Sequence, residues 1–243
     1  MHVEAFEPFV LGRIPIGGNE PLTAGIKKHQ RSGRSARSVE GRDRANGCNI
    51  VRFPHAYDAA VVTGGDPESI GRNRNHLEIS ADMYANPFNA GAVVNRLDCV
   101  ILGATEVDVD FNVNVNTEST GYLLHNTGGH SDTAAGAKLA IIVAPSIRGR
   151  LPIVRDEVTT VTTPGETVDV IVTERGIAVN DKHEDLKKEL IRLNVPVKDI
   201  RQLQREICQV TGTPRPLEFE DEIVALIEYR DGSVIDAVRR VKE

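Results

Sequence analysis

The chain has 243 residues, of which 40% are hydrophobic and 26% are charged, and its formal net charge is -6 at pH 7. A chain of this size can bury a core as one large domain, so we predict a globular, soluble protein. No stretch approaches the roughly 20 apolar residues of a membrane-spanning helix, and the first residues lack the pattern of a secretory signal, so we expect a cytoplasmic location. The three cysteines, Cys48, Cys99 and Cys208, show no CxxC spacing, which predicts neither a disulfide framework nor a zinc site.

Charge is distributed unevenly along the chain. Residues 1–56 carry nine Lys or Arg against five Asp or Glu, whereas residues 57–243 carry twenty against thirty. Seven of the basic residues lie within residues 27–44, among Ser, Gly and Gln. Such a segment can be a nucleic-acid or anion-binding arm, or a leader that buries too little apolar surface to become ordered. Because no aromatic residues are interleaved for base stacking, we favour a poorly ordered leader at residues 1–56 and one folded domain at residues 57–243.

After Val62, apolar runs alternate with turn signals, which is typical of alternating strands and helices. The continuous apolar run that ends at Gly103 predicts a strand buried on both faces. Residues 107–115 alternate apolar and polar, which predicts one half-exposed strand whose Asp and Asn side chains share a face. Further strands are predicted at residues 140–144, 158–163 and 168–173.

The carboxy-terminal third has two helix patterns and one hairpin pattern. Residues 182–193 and 198–210 repeat aliphatic side chains at helical spacing, which predicts two amphipathic helices. Residues 222–229 and 233–238 flank an Asp-Gly pair, a strong hairpin signal. We therefore predict an α/β fold: an open sheet with flanking helices and a C-terminal β-hairpin.

A glycine pair is the first candidate for a functional site. Gly128-Gly129 precedes a run of small residues and can present backbone N–H groups to an oxyanion or phosphate, although ordinary turns use such pairs too. Ser131 or Asp132 can cap the helix that follows. His130 can donate to a carboxylate, or it can be a turn histidine bonded to the backbone. His130 and Asp132 have no third ligand placed nearby, so no metal site is predicted.

Three further polar residues follow or lie on predicted strands. Glu106 comes shortly after the strand that ends near Gly103, so we expect it at a strand's carboxyl end, where open α/β sheets bind ligands. The alternative is a solvated loop acid. Asn112 and Asn114 are expected on one strand face, where they can bond a substrate or can form the wet face of an edge strand.

Several runs, taken together and in this order, resemble the citrate lyase alpha chain family over residues 57–243. The runs are residues 75–80, 83–87, 93–98, 103–108, 128–136, 148–150 and 163–169. Residues 97–103 and 128–132 also resemble, more distantly, one half of other CoA-transferases. This kinship implies the open α/β fold of the CoA-transferase superfamily.

The resemblance implies a citrate CoA-transferase. In this family citrate displaces acetate from an acetyl thioester on the acyl-carrier subunit, through a mixed anhydride and without an acyl-enzyme. The lyase subunit then cleaves the citryl thioester, so that citrate yields acetate and oxaloacetate. The implied partners are the beta (lyase) and gamma (acyl-carrier) subunits. The implied thioester is acetyl-CoA or a carrier-borne dephospho-CoA derivative, which is a substrate, and no covalently bound cofactor is expected.

On this reading the catalytic candidates are Glu106, Gly128 and Gly129. The substrate-binding candidates are His130, Ser131, Asn112, Asn114, Arg148, Arg150 and Arg96. The arginines are included because citrate is a polyanion and the guanidinium fork binds carboxylates bidentately. The alternative for each arginine is a solubilising surface charge.

An alpha chain of this family is about twice as long, with an amino-terminal half of similar fold that these residues do not match. Since CoA-transferase sites lie between two such halves, we expect one wall of a site here. One hypothesis is an active transferase subunit completed by a separate chain or by a second copy. The alternative is a truncated, catalytically silent subunit that acts as a scaffold or partner-binding module in a lyase complex. Nucleic-acid binding through residues 27–44 is the least favoured hypothesis.

Overall fold

The computed structural model describes residues 48–52, 59–63, 76–124 and 126–242 of the chain. No helix among these residues has the length and apolar character needed to cross a membrane. The predicted basic segment at residues 27–44 and the predicted boundary near residue 57 lie outside the described residues. One piece of the predicted leader, Cys48–Arg52, forms a strand paired into a sheet, and the order of the rest of the leader stays a prediction.

Short strands and helices alternate along most of the chain. In chain order they are β1 (Cys48–Arg52), β2 (Ala59–Thr63), β3 (His76–Ile79), α1 (Ala81–Ala85), β4 (Val100–Leu102), β5 (Glu106–Asp108), β6 (Val113–Asn114), α2 (His130–Gly136), β7 (Ala140–Val143), β8 (Ile147–Arg148), β9 (Leu151–Pro152), β10 (Val154–Arg155), β11 (Val170–Thr173), β12 (Gly176–Val179), α3 (Glu184–Arg192), α4 (Ile200–Thr211), β13 (Phe219–Glu228) and β14 (Val234–Val241). The predicted α/β class is confirmed.

The main sheet has the strand order β12-β11-β7-β4. Strands β4, β7 and β11 run parallel, and β12 is antiparallel to β11. The carboxyl ends of three parallel strands therefore meet at one edge of this sheet, which is where open α/β sheets bind ligands.

Apolar side chains cover both faces of the main sheet. On one face, Ile142 and Ile171 belong to a core cluster that includes Leu203 of α4. On the other face, Ile141 belongs to a second cluster that includes Leu190 of α3. Burying one side chain of this size stabilises the folded state by roughly 1.5–3 kcal/mol. These contacts therefore hold the sheet between α3 on one face and α4 on the other.

A second sheet, with the order β10-β5-β6, lies next along the chain from β4. Strand β5 is parallel to β10 and antiparallel to β6. The loop of residues 103–105, which we call the β4–β5 loop, joins the main sheet to this second sheet. It lies at the carboxyl end of β4.

The two predicted amphipathic helices and the predicted hairpin are confirmed as α3, α4 and the β13–β14 pair. Asp199 caps the start of helix α4, and its side chain accepts a hydrogen bond from the amide of Gln202 at 3.0 Å. The hairpin turns at Gly232, whose φ of 86° lies in the left-handed region that favours glycine. Local sequence signals determined these elements.

Strand β4 differs from its prediction. It is three residues long and lies at the edge of the main sheet, and its central residue, Ile101, is 51% exposed. The expectation of a strand buried on both faces is therefore wrong for this segment. It holds better for β7, whose residues 140–142 are all buried.

The prediction of one half-exposed strand at residues 107–115 is also wrong. The chain forms β5 and β6, which pair antiparallel across a tight turn where Phe111 has a φ of 67°. Oδ1 of Asp108 accepts hydrogen bonds from the amides of Asp110 and Asn112, both at 2.9 Å, and these bonds hold the turn. All five residues of the two strands are buried, so neither strand has a wet face, and the exposed Asp110 lies in the turn between them.

Residues 158–163 do not form the predicted strand. Only Thr163 makes a β-bridge, with Val113. The hydroxyl of Thr162 donates to the carbonyl of Val113 at 2.9 Å and accepts from the amide of Val115 at 3.1 Å. Thr162 thus reaches β6 through its side chain as well as its amide, whereas Thr163 reaches it through its backbone, and no regular ladder forms.

Candidate functional site

Three side-chain hydrogen bonds hold the β4–β5 loop, two from residues outside it and one from its own Thr105. Nε2 of His130 lies 2.9 Å from the carbonyl oxygen of Gly103. The guanidinium of Arg148 donates through Nη2 to the carbonyl oxygen of Ala104 at 3.1 Å. The hydroxyl of Thr105 donates to the carbonyl oxygen of Asn114 at 2.7 Å. The loop at the carboxyl end of β4 is therefore held by α2, β8 and β6 at once.

Glu106, the residue after this loop, is fully buried. Its carboxylate accepts hydrogen bonds from Arg155 Nη1, Ser119 Oγ, Asn114 Nδ2 and the amide of Thr159. Burial acts to raise the pKa of Glu106, but the hydrogen bond from Ser119 and the charge of Arg155 outweigh it and hold the pKa below its usual range. The alternative of a solvated loop acid is therefore wrong.

The expectation that Glu106 stands at a strand's carboxyl end is met only indirectly. It follows the carboxyl end of β4 through the loop, but it is itself the first residue of β5. Because both carboxylate oxygens already accept hydrogen bonds from the protein, the side chain holds neighbouring segments together.

His130 opens helix α2 and is half-buried. Its Nδ1 lies 2.6 Å from Oγ1 of Thr163, and its Nε2 contacts the β4–β5 loop. Burial lowers the pKa of His130, and the hydrogen bond to the Gly103 carbonyl opposes this shift only in part. The lowered pKa favours the neutral ring, and the interpretation of a histidine bonded to backbone fits its Nε2 contact.

The glycine pair forms the turn before α2. Gly128 has a φ of 54°, a conformation that favours glycine, and Gly129 is the N-cap residue of the helix. Ser131 and Asp132 were alternatives for capping, and both are wrong, because the helix begins at His130 and its cap has no side-chain hydrogen bond. Ser131 is instead buried within the first turn.

Asp132 has a different partner, since its carboxylate accepts hydrogen bonds from Nε (3.1 Å) and Nη2 of Arg230. This ion pair ties α2 to the turn of the terminal hairpin.

Asn112 is half-buried and Asn114 is fully buried, and the two side chains do not share a strand face. Asn112 lies in the β5–β6 turn, where its Nδ2 donates to Asp108 at 3.1 Å and its Oδ1 accepts from the amide of Gly165 at 2.9 Å. Asn114 is fully buried and donates to Glu106 at 2.8 Å. The predicted wet face of an edge strand is therefore wrong.

The three candidate arginines occupy separate elements. Arg148, at the end of β8, is connected to the β4–β5 loop. Arg150 is exposed two residues later, in the turn between β8 and β9. Arg96 is exposed at the end of the 3₁₀ turn Val93–Arg96. The structure therefore brings Arg148 to the β4–β5 loop. Arg150 is close to Arg148 in sequence, and Arg96 has no described contact with the loop or with the other two arginines.

Two clefts lie elsewhere on the surface. One, of about 310 Å³, is lined by residues of the terminal hairpin and the segment before β11, and the other, of about 280 Å³, lies beside the β5–β6 turn. Neither is lined by any of the ten predicted site residues. Within the described ranges there is also no group of three or more His, Cys, Asp or Glu side chains able to hold a metal ion.

Sequence reasoning missed several residues that build this region. They are Ser119, Arg155 and Thr159 around Glu106, Thr163 against His130, and Arg230 against Asp132. Each lies between 13 and 98 positions from its partner. No local spacing signals contacts of this kind.

Comparisons with known proteins agree on one family. A sequence model of the family described as citrate lyase, alpha subunit, matches residues 55–241. The citrate lyase alpha chain of Klebsiella pneumoniae is 50% identical over 185 residues, which are 76% of this chain and 36% of that protein. The alpha chain of Escherichia coli strain K12 is 51% identical over 176 residues, which are 72% of this chain and 34% of that protein.

A solved structure agrees as well. It is described as an alpha subunit of citrate lyase from Streptococcus mutans in complex with citrate, and it is 48% identical with a TM-score of 0.71. The match covers 75% of this chain and 36% of that one. The chain thus spans about a third of the length of the curated relatives that it matches.

Proposed function

Since this chain belongs to the citrate lyase alpha subunit family, we propose that its folded part forms one wall of a site where citrate exchanges with the acetyl group of a CoA-like thioester. The observation that carries the proposal is the Streptococcus mutans structure, which has 48% identity to this chain and was solved in complex with citrate. The β4–β5 loop, at the carboxyl edge of the main sheet, is the region of this chain that we assign to the site.

The proposed reaction is an acyl exchange with two displacements. A carboxylate oxygen of citrate attacks the thioester carbonyl, the C–S bond breaks, and the thiolate leaves behind a mixed anhydride of citrate and acetate. The thiolate then attacks the citryl carbonyl and releases acetate. Citryl thioester and acetate are the products, and neither step needs an oxidant or a metal. Such a site must stabilise an oxyanion, orient a polyanionic acid and exclude water.

We assign these tasks to residues at the loop. The backbone of Gly128 and Gly129 supplies donors for the oxyanion. Arg148 and Arg150 bind citrate carboxylates, because the guanidinium fork can bond a carboxylate bidentately. We assign to Glu106 the positioning of the β4–β5 loop, because its carboxylate already accepts hydrogen bonds from four residues of the protein.

The proposed partners follow from the family. They are the lyase and acyl-carrier subunits, with the carrier's CoA-like arm as the thioester substrate. Because the matched region is only part of each relative, we propose that further polypeptide supplies the facing wall, either as a separate chain or from a second copy.

Citrate-dependent exchange tests the proposal. Purified chain is incubated with acetyl-CoA and citrate, alone and with an amino-terminal fragment of a full-length relative, and acetate and citryl-CoA are measured together. We expect both products in equal amounts in at least one reconstitution. Arg148→Gln should reduce the rate by at least about tenfold, as expected for a lost charged hydrogen bond. Arg192→Gln, at an exposed arginine of α3, is the matched control and should not change it.

A second candidate function is a catalytically silent module that binds other lyase subunits. The terminal hairpin favours it, because Ile223, Val224 and Leu226 of β13 are each about half exposed and leave apolar area open to a partner. Absence of both products in every reconstitution, together with stable binding to lyase or carrier subunits, would support this function over exchange.

A further inference from the structure

A chain of hydrogen bonds runs from Thr163 through the ring of His130 to the carbonyl of Gly103. The two distances are 2.6 Å at Nδ1 and 2.9 Å at Nε2. We infer that Thr163 is a positioning residue that acts through His130, locking the start of α2, and with it the Gly128–Gly129 turn, against the β4–β5 loop.

The chemistry of the two partners determines where the ring hydrogen lies. A backbone carbonyl can only accept, so Nε2 of His130 carries the hydrogen and donates to Gly103. In the neutral ring, Nδ1 then has a lone pair and accepts from the hydroxyl of Thr163. A threonine hydroxyl suits this place because it can rotate to donate. The two partners together select the Nε2–H tautomer.

Both ends of this series of hydrogen bonds belong to segments that are fixed by the sheets. Thr163 is fully buried, and its amide and carbonyl both bond to Val113 of β6, at 3.0 Å each. Gly103 follows β4 of the main sheet. The histidine ring therefore spans from the second sheet to the main sheet, and α2 begins at the ring's own residue.

This geometry assigns His130 a different task from the predicted contact with substrate. Both ring nitrogens are already used, so donation to a citrate carboxylate would break the bond to Gly103. The ring fixes the distance between the Gly128–Gly129 turn and the β4–β5 loop, the two segments that the proposed function places around the acyl group. This last step rests on the proposed function, whereas the hydrogen bonding does not.

Nitrogen NMR of the ¹⁵N-labelled full chain tests the hydrogen bonding. His130 signals are assigned by their loss in His130→Gln. In the wild type at pH 7 we expect a protonated Nε2 and an unprotonated, hydrogen-bonded Nδ1. Thr163→Val should move the Nδ1 resonance towards the position of a free nitrogen, and Thr163→Ser, which keeps the hydroxyl, should restore it. Thr167→Val is the matched control, because that hydroxyl donates only locally, to the carbonyl of Pro164 at 2.8 Å.

The wild-type spectrum alone can overturn the inference, even if Thr163→Val fails to fold. A protonated Nδ1, a charged ring at pH 7, or His130 signals that do not respond to Thr163→Val would each refute it.

Citrate titration of the same samples tests positioning. Thr163→Val should weaken citrate binding about fivefold, the value for one lost hydrogen bond, and Thr163→Ser should bind like the wild type. Equal binding by Thr163→Val and wild type refutes the positioning role. The titration is made with and without an amino-terminal fragment of a full-length relative, and absence of citrate binding by the wild type in both, with the expected tautomer, refutes the proposed function and leaves the hydrogen-bond assignment supported.

Discussion

Arg155 donates a hydrogen bond to the carboxylate of Glu106 in the interior of the protein, with 11% of the arginine side chain and 0% of the glutamate side chain exposed. A buried ion pair costs desolvation energy, and removal of one partner leaves an uncompensated charge. Arg155 lies on β10 and Glu106 on β5, and these strands are parallel neighbours. The pair therefore secures the second sheet directly beside the β4–β5 loop.

Replacing the arginine alone should strongly destabilise the protein. We expect Arg155→Met to lower the free energy of unfolding by about 3–5 kcal/mol, because Glu106 stays buried without its cation. Glu106→Gln combined with Arg155→Met should recover part of this loss, since the charge is removed with its partner. Urea unfolding measures both. Arg201→Met, at an exposed pair with Asp110, is the control, and a similar loss there would contradict the argument.

Stability should also depend on pH through Glu106. Its folded-state pKa lies below the ordinary value of 4.5, so the unfolded state takes up the proton first as the pH falls. The contribution of Glu106 is thus fully present above about pH 4.5 and is lost as the pH falls through the folded-state pKa. As the pH is lowered from about 6 to about 3, the urea concentration at the unfolding midpoint should fall more steeply for the wild type than for Glu106→Gln. Parallel curves would show that Glu106 does not have the lowered pKa.

Gly165 should tolerate no side chain. A Cβ at this position would lie 2.0 Å from the carbonyl oxygen of Asp110 and 2.9 Å from the amide nitrogen of Asn112. We expect Gly165→Ala to cost about 3 kcal/mol of unfolding free energy, because backbone must shift to accept the methyl group. Gly103→Ala, where a Cβ meets nothing within 4 Å, should cost far less. Thermal unfolding of the two variants tests this, and equal losses would contradict it.

The terminal hairpin should loosen without its ion pair to α2. Asp132 is buried and Arg230 is only partly exposed, so we expect Arg230→Met to cost about 2 kcal/mol. Hydrogen exchange should accelerate at the tip, residues 229–233, and less at the far end of the strands. Arg240→Met removes an exposed pair with Glu222 and serves as the control, with little expected change. Unchanged exchange in Arg230→Met would show that other contacts hold the tip.

The sequence predicted best those elements whose signals are local. The helices α3 and α4 repeat aliphatic residues at helical spacing, and Leu190, Leu203 and Ile207 of that stripe are buried, whereas Val210 at its end is 62% exposed. The hairpin follows its Asp-Gly pair because few residues other than glycine adopt the left-handed conformation of such a turn. In both cases the information lies within one segment.

The apolar–polar alternation at residues 107–115 led to a wrong prediction, because two short antiparallel strands and their turn can produce the same pattern as one strand. The signal that distinguishes them is chemical. Asp108 is followed by a further Asp and an Asn, and such residues form turns through their own side chains. The β-branched run at residues 158–163 misled for a different reason. Its threonines donate their hydroxyl groups to residues as distant as Val113, which are invisible to local propensity.

The candidate site was predicted in part. The sequence placed Glu106 near the carboxyl end of a strand and the glycine pair before a helix, and the structure places His130 and Arg148 at the loop that precedes Glu106. It could not indicate that Glu106 is buried against Arg155, because the two residues are 49 positions apart.

The proposed function requires that this chain itself contributes to a citrate site at the β4–β5 loop. Isothermal titration calorimetry of citrate into the full chain, with and without an amino-terminal fragment of a full-length relative, tests it most directly. We expect saturable binding of citrate in at least one of these samples, reduced at least about tenfold by Arg148→Gln and unchanged by Arg192→Gln. Absence of binding in both samples, or binding that Arg148→Gln and Arg150→Gln leave unchanged, would contradict it.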